Sequence, residues 1–173
     1  SGGGPMGMSN LGNLGPLQAA DANGVRLPAG FTSRIVARTG EAPVMGGPVW
    51  HGAPDGGACF ATPDGGWIYV SNAELSLAAG GVSALRFDAQ GNVVGCTRIC
   101  TGTSRNCAGG KMPWGRWLTC EESGESGRVW DCDPLGAQPA EVLPALGSFN
   151  HEAVAWEVTK GHLYLTEDQP DGG

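Results

Sequence analysis

The stretch GWIYVSNAE at residues 66–74 returns twice in altered form, as GRWLTCEE at residues 115–122 and as GHLYLTED at residues 161–168. Each copy opens with Gly, continues through aromatic and aliphatic residues typical of a β-strand, and ends in acidic residues. The copies are spaced by 49 and 46 residues when their second positions are aligned. A repeat of this length predicts the four-stranded blades of a β-propeller.

The sequence around each copy supplies the other strands of the unit. A second strand, GGVSALRFD or GRVWDCDP, follows the first two copies, and ACFATPDG, TSRNCAGGKMPW and HEAVAWEVTKG precede the three copies in turn. TSRIVAR at residues 32–38 predicts a further strand near the start. The alternative is a Gly-rich β-sandwich in which the three segments resemble one another by chance.

The third unit is cut short, because the chain reads QPDGG where the first unit continues into VSALRFD. About three blades are then present, whereas closed propellers need at least about four. An open wedge would expose sheet faces and edges to water. We therefore expect residues 26–173 to form the N-terminal half of a larger propeller with a truncated third blade, or one half of a two-chain assembly. Residues 1–25 are expected to be a flexible lead or a strap.

Composition supports an all-β fold. The chain has 173 residues, and its 31 Gly and 12 Pro disfavour a helical bundle. Disorder is disfavoured because 40% of the residues are hydrophobic and only 16% are charged. The net charge of -7 argues against nucleic acid and acidic membranes as partners. No apolar run approaches the roughly 20 residues that span a bilayer, and the opening residues do not resemble a signal peptide.

The ends of the repeated strands concentrate metal-ligand atoms. Because corresponding strands of successive blades point toward one axis, we expect these groups to converge on a central channel. Hard ions such as calcium prefer carboxylate oxygens, and an added thiolate suits a transition metal. The alternative is that the acids cap strand ends in solvent. The groups are Asn72 and Glu74 in the first copy, Cys120, Glu121 and Glu122 in the second, and Glu167 and Asp168 in the third.

Two further stretches bear on chemistry. In NCAGGKMPWGRWLTCEE, at residues 106–122, a Gly- and Pro-fixed loop delivers Cys120 among carboxylates. Such neighbours raise a thiol's pKa, so a metal-bound or buried thiol is favoured over a free reactive one. His151-Glu152 begins the third unit, and Glu152 is predicted to reach the same channel. No GxSxG, P-loop, HExxH or GxGxxG motif is present.

The six cysteines contain no CxxC metal pair, and their number favours an oxidising compartment. A disulfide between Cys100 and Cys107 is one option, small buried thiols are another, and the sequence does not fix the connectivity.

Over residues 20–173 the chain resembles the PhoX-type alkaline phosphatase family. The resemblance is carried by NCAGGKMPWGRWLTCEES, FNHEAVAWE and LYLTEDQPDGG, with ADANGVRLPAGFTSRIVARTG and GGWIYVSNAE before them. It implies a six-bladed propeller that binds ferric iron and calcium in its channel, hydrolyses phosphate esters and is exported to the periplasm.

The same resemblance implies roles for individual residues. Cys120 matches the iron-binding thiolate and Glu152 an iron carboxylate ligand, which makes both candidates for catalysis. Two departures are visible: Asn72-Ala73-Glu74 replaces the family's usual NHE, and Lys111-Met112 and Arg116 stand where other residues are common. Candidates for calcium or for the shared metal shell are Asn72, Glu74, Glu121, Glu167 and Asp168.

The sequence therefore predicts an exported, periplasmic or secreted, metal-dependent phosphatase that is present as its N-terminal half and is inactive alone. Its substrate would be a phosphate ester, and its partner a complementary propeller half or a second copy, with Fe³⁺ and Ca²⁺ as cofactors. The alternative is a non-catalytic metal-binding propeller module that assembles with itself or with another chain. A propeller hydrolase of another kind, such as a lactonase, is disfavoured by the CAGG-to-CEE loop.

Overall fold

Ten antiparallel β-strands and two short 3-10 turns make up the regular structure in the computed structural model, which describes residue 12 and residues 14–169. The 3-10 turns are Gly124–Ser126 and Pro144–Leu146. The prediction of an all-β chain is therefore confirmed. The strands are β1 Pro54–Ala61, β2 Trp67–Ala73, β3 Gly80–Phe87, β4 Val93–Thr103, β5 Asn106–Lys111, β6 Trp117–Glu121, β7 Val129–Cys132, β8 Glu141–Val142, β9 His151–Glu157 and β10 His162–Glu167.

The strands form three sheets in chain order. The orders are β1-β2-β3-β4, then β5-β6-β7-β8, and finally a two-stranded sheet of β9 and β10. Every neighbouring pair is an antiparallel hairpin, as expected when successive strands are joined by short turns. The three repeated segments supply β2, β6 and β10, so each is the second strand of its own sheet. Equivalent positions in the repeat therefore occupy equivalent places in the sheets.

The chain divides into two compact units, Ser1–Val36 and Ala37–Gly173, and all three sheets belong to the second. In the first unit, Asp21 accepts backbone hydrogen bonds from Asn23 and Val25 and a side-chain bond from Ser33. The start of the predicted lead at residues 1–25 lies outside the described residues. No helix in the described part of the chain has the length and hydrophobicity to cross a membrane.

The prediction of a strand at residues 32–38 was wrong. This segment forms no regular secondary structure, and the first bridge after it joins Thr39 to Trp50. The segment also crosses the boundary between the two units at Val36. Aliphatic and β-branched residues favour an extended backbone, but a strand also needs a hydrogen-bonded neighbour, which local sequence does not reveal.

Two apolar clusters hold the three sheets together. In the first, Phe60, Ile68 and Val70 of the β1–β4 sheet pack with Trp117 and Cys132 of the β5–β8 sheet. The central strands β2 and β3 are buried along most of their length because they are covered by neighbours on both sides. Burying one large aliphatic or aromatic side chain contributes about 1.5–3 kcal/mol to stability. Because this cluster contains several such side chains from both sheets, it stabilises their packing against each other.

The second cluster joins the β5–β8 sheet to β9 and β10. Met112, Leu118 and Val129 pack there with Val154, and Trp156 lies against them. The backbones approach closely at Gly110, where an added Cβ would lie 2.1 Å from the carbonyl oxygen of Val154. Only a glycine fits this approach, which brings the middle of β9 beside β5.

A buried histidine ties the segment before β1 to the first sheet. The Nδ1 atom of His51 lies 3.0 Å from Ser83 Oγ, and its Nε2 atom lies 3.2 Å from Ser71 Oγ. One ring nitrogen donates and the other accepts, so a neutral imidazole satisfies both hydroxyls. Burial, with a contribution from the positive charge of Arg98, lowers the pKa of His51 from 6.5 to about 4.

This shift makes stability depend on pH. The unfolded chain takes up a proton at His51 below pH 6.5, whereas the folded chain resists it until about pH 4. Stability should therefore be fully present above pH 6.5 and should fall by about 3 kcal/mol as the pH drops toward 4. His51→Gln should lose this part of the pH dependence in urea unfolding between pH 4 and 7, while His162→Gln, at an exposed site, should keep it. Parallel curves for His51→Gln and the wild type would contradict the assignment.

Candidate metal centre

One backbone hydrogen bond recurs in all three sheets and fixes an acidic residue at the same place in each. The residue that follows the second strand donates its N–H to the carbonyl oxygen of the residue that precedes the first strand. This bond joins the end of one strand to the start of its neighbour, so the acidic side chain leaves the sheet at a defined point. The pairs are Glu74 with Ala53 at 2.9 Å, Glu122 with Arg105 at 2.8 Å, and Asp168 with Asn150 at 3.1 Å.

Among the side chains fixed in this way, Glu122 interacts with each of the other two, and we call the three residues the acidic ring: Glu74, Glu122 and Asp168. Glu122, which is 8% exposed, hydrogen-bonds both of the others. The bond shared with Asp168, then burial, then the bond shared with Glu74 raise the pKa of Glu122 to about 7. Like-charged carboxylates at this distance disfavour full ionisation, so the ring holds a proton or a cation near neutral pH.

Arg105 supplies a positive charge to the ring. Its Nη2 atom lies 3.6 Å from Glu122 Oε2 and 4.0 Å from Glu74 Oε1. Its backbone has a φ of 52° and also links the first two sheets, because its N–H donates to the carbonyl of Leu75 at 2.8 Å. Arg105 therefore holds Glu74 and Glu122 side by side by both its main chain and its side chain.

A second set of groups comes from the first strand of each sheet, at its second residue. Asp55 occupies this position in β1, Cys107 in β5 and Glu152 in β9. Ligand atoms of Asp55, Cys107 and Glu74 lie within 4.8 Å of one another, and Cys107 Sγ is 4.0 Å from Asp55 Oδ2. Burial, followed by the charges of Asp55 and Glu122, raises the pKa of Cys107 to about 12.

Cys120 lies in β6, two positions before Glu122, and is fully buried. Burial, followed by the influence of Cys107 and the charge of Glu152, raises the pKa of Cys120 to about 12. Without a cation both sulfur atoms are therefore protonated thiols. A metal ion would reverse this, because a coordinated thiol loses its proton.

Asn72 is fully engaged inside the protein. Its Nδ2 atom donates to the carbonyl oxygens of Cys107 at 2.9 Å and Ala108 at 2.8 Å. Its Oδ1 atom accepts from Trp117 Nε1 at 3.0 Å and Thr119 Oγ1 at 2.9 Å. These four bonds run from β2 to β5 and β6, so Asn72 sets the position of Cys107 relative to the first sheet.

Glu121 is likewise engaged by neighbouring donors. One carboxylate oxygen accepts from the backbone N–H of Ser104 at 2.7 Å. The other accepts from the N–H of Arg128 and from Trp130 Nε1, both at 3.1 Å. These bonds hold the turn before β5 against β6 and β7. Arg105 lies in this turn, and Glu122 directly follows β6.

Among the residues singled out from the sequence, the structure places Glu122 between Glu74 and Asp168. It places Cys120 and Glu152 near Cys107. The side chains of Asn72 and Glu121 instead form hydrogen bonds inside the protein. Within the described residues, Glu167 is exposed, accepts a bond from Gln169 and lies opposite His151 in the strand pair, and no interaction joins it to the ring.

Sequence reasoning missed Asp55, Cys107 and Arg105 as members of the group. The signal was present for Asp55 and Cys107, because they stand where Glu152 stands in the third unit, at the second residue of the first strand. Arg105 gives no such signal, since its role depends on a turn geometry that brings two sheets together.

Removing the Asn72 side chain tests its positioning role. Asn72→Ala removes four hydrogen bonds to buried partners in β5 and β6, so the free energy of unfolding should fall by about 2–4 kcal/mol in urea titration. Asn92→Ala is the matched control, because Asn92 is exposed and donates only to Asp88 at 2.9 Å, and it should cost under about 1 kcal/mol. Equal costs for the two variants would show that Asn72 does not brace the sheets.

Comparison with protein-family models matches residues 68–133 to the family described as alkaline phosphatase PhoX. The matched span runs from β2 through β7 and contains Glu74, Cys107, Cys120 and Glu122. Comparisons with curated proteins and with solved structures gave no match. Residues 68–133 therefore relate this chain to the PhoX family of alkaline phosphatases.

Proposed function

We propose that this chain supplies part of the metal centre of an exported, metal-dependent phosphatase that hydrolyses phosphate monoesters. The observation that carries the proposal is the convergence of carboxylates and thiols from three successive sheets. A phosphate ester is an anion, and a group of bare carboxylates would repel it. The same group loaded with cations would attract it, which is why the chemistry requires metal at this place.

The donor atoms fit two kinds of ion. The acidic ring, with Asp55 beside it, offers the carboxylate oxygens that suit Ca²⁺. The two thiols, Cys107 and Cys120, with Glu152 near both, suit a transition metal, and the family resemblance favours Fe³⁺ with Cys120 and Glu152 as ligands. When bound, such cations polarise a phosphoryl oxygen and stabilise the charge that develops on it.

The chain's own residues have distinct tasks in this proposal. Glu74, Glu122 and Asp168 hold cations, and the recurring backbone hydrogen bond orients them for it. Asn72 and Glu121 position the ligand-bearing strands by their buried hydrogen bonds. The raised pKa of Glu122 supports cation binding, because a cation in the ring would replace the proton that the crowded carboxylates otherwise retain.

The architecture proposed for the active protein is a six-bladed propeller, to which residues 26–173 contribute the N-terminal half with a truncated third blade. Two four-stranded meanders in chain order, followed by the first two strands of a third, support it. Further ligands would come from a complementary half or a second copy, so the chain alone should be inactive. Export to the periplasm, or secretion, follows the family resemblance, and residues 1–25 remain a proposed lead or strap.

Metal binding is the first test. After treatment with a chelator, the chain should take up Ca²⁺ and Fe³⁺ in elemental analysis and gain thermal stability. Glu74→Gln and Glu122→Gln should weaken Ca²⁺ binding at least about 10-fold, because each removes a charged ligand while keeping its shape. Cys120→Ser should reduce iron content and leave Ca²⁺ content unchanged.

The matched control is Glu125→Gln, which removes one negative charge three residues from Glu122, in an exposed 3-10 turn. It should leave both metal contents unchanged. Equal loss of metal in Glu122→Gln and Glu125→Gln would show that the cations respond only to net charge, and would remove the support for a built site.

Hydrolysis of p-nitrophenyl phosphate is the second test, combined with the mass of the protein in solution. The metal-loaded monomer should be inactive, and activity should appear only in a species that contains a second copy or a complementary chain. A monomer that turns over at the roughly 1–10³ per second of ordinary enzymes would contradict the half-propeller proposal. A metal-loaded assembly without activity would instead establish the non-catalytic binding module.

A further inference from the structure

Two buried cysteines face each other between the first two sheets, outside the metal centre. Cys100 lies in β4 and pairs in register with Val82, and Cys132 ends β7 opposite Trp117. Cys100 is 4% exposed and Cys132 fully buried, and both belong to the apolar cluster that joins the sheets. Within this cluster the Cys100 and Cys132 side chains interact with each other, so sulfur atoms from two different sheets lie near each other.

We propose that Cys100 and Cys132 form a disulfide that links the β1–β4 sheet covalently to the β5–β8 sheet. In the structure both residues are free thiols, so the bond is a modification that the fold prepares. The link would close a loop between positions 32 residues apart and would add a covalent bond to the apolar contacts between these sheets. The proposal does not rest on the phosphatase function, because neither cysteine belongs to the metal centre.

The oxidant is a small or protein disulfide, such as oxidised glutathione. The Cys100 thiolate attacks one sulfur of this disulfide and releases a first thiol, leaving a mixed disulfide on Cys100. The Cys132 thiolate then attacks the Cys100 sulfur and releases the second thiol. Two thiols of the chain are thus oxidised, one disulfide is reduced to two thiols, and the two protons pass to the released thiolates.

The surroundings assign the first attack to Cys100. The interaction with Cys132 is the main cause that lowers the pKa of Cys100. Cys100 also lines a surface pocket with Trp130 and Ala140, whereas Cys132 is closed off from solvent. An external disulfide therefore reaches Cys100 first, and Cys132 completes the exchange from inside.

The other cysteines lie in different places from the proposed Cys100–Cys132 pair. Cys107, the other option weighed from the sequence as a partner of Cys100, lies beside Asp55 in the metal centre. Cys96 is buried in the same strand as Cys100, and burial raises its pKa. Cys96 is therefore the natural control residue, since it is a buried thiol on the same strand.

Peptide mapping gives a direct test because trypsin places these cysteines on separate fragments. Cleavage after Lys and Arg leaves Cys100 in residues 99–105 and Cys132 in residues 129–160, each without a second cysteine. The reduced full chain is refolded with reduced and oxidised glutathione, denatured with iodoacetamide to block free thiols, and digested without reduction. We expect the two fragments joined, with a mass two hydrogen atoms below their sum. Alkylated Cys100 and Cys132, or Cys100 joined to residues 106–111, would overturn the proposal.

Thermal unfolding provides an independent readout. The oxidised wild type should melt roughly 5–15 °C above the reduced wild type, because the link restrains the unfolded chain. Cys100→Ala, Cys132→Ala and the double variant should each lose this difference between oxidised and reduced samples, and Cys96→Ala should keep it. A redox-dependent melting temperature that persists in Cys132→Ala would contradict the pairing. If an alanine variant fails to fold, the mapping of the wild type still decides.

Discussion

The arrangement of the candidate centre depends on one backbone hydrogen bond that occurs three times. In each sheet the N–H that follows the second strand is bound to the carbonyl that precedes the first strand, so the strand pair ends at a fixed residue. That residue is acidic in every sheet: Glu74, Glu122 and Asp168. Because the sheets pack in series through two apolar clusters, the same local geometry brings Glu122 into contact with the other two carboxylates. A backbone hydrogen bond within each sheet, repeated in three sheets, thus places acidic residues that are distant in sequence near one another.

Negative charges placed close together repel one another, and neighbouring groups in the structure offset this repulsion. Glu122 is held between two other acids with its pKa raised to about 7, and Arg105 is the cation that the described residues place beside it. Buried hydrogen bonds of Asn72 and Glu121 prevent the strands from moving apart to relieve the repulsion. A rigid, anionic and partly protonated group of this kind gains stability when a cation replaces its proton. This is the physical link between the fold and the proposed metal chemistry.

The sequence predicted the all-β fold and the strands β2, β6 and β10 because their pattern is repeated. The ring acids were found for the same reason, since Glu122 and its counterparts end equivalent strands. The contacts of Asn72 were not predictable, because its four partners lie on strands of two different sheets and no local pattern reports them. Cys107 was weighed only for a disulfide, although it stands in the same position as Glu152. The segment at residues 32–38 shows the converse, because a good strand pattern there does not form a β-strand.

The most direct measurement is a crystal structure of the chain loaded with Ca²⁺, with the ion located by its anomalous scattering. We expect one ion within about 2.3–2.6 Å of carboxylate oxygens from Glu74, Glu122 and Asp168, which three different sheets contribute. An ion bound elsewhere, with these three side chains on separate surfaces, would contradict the central claim.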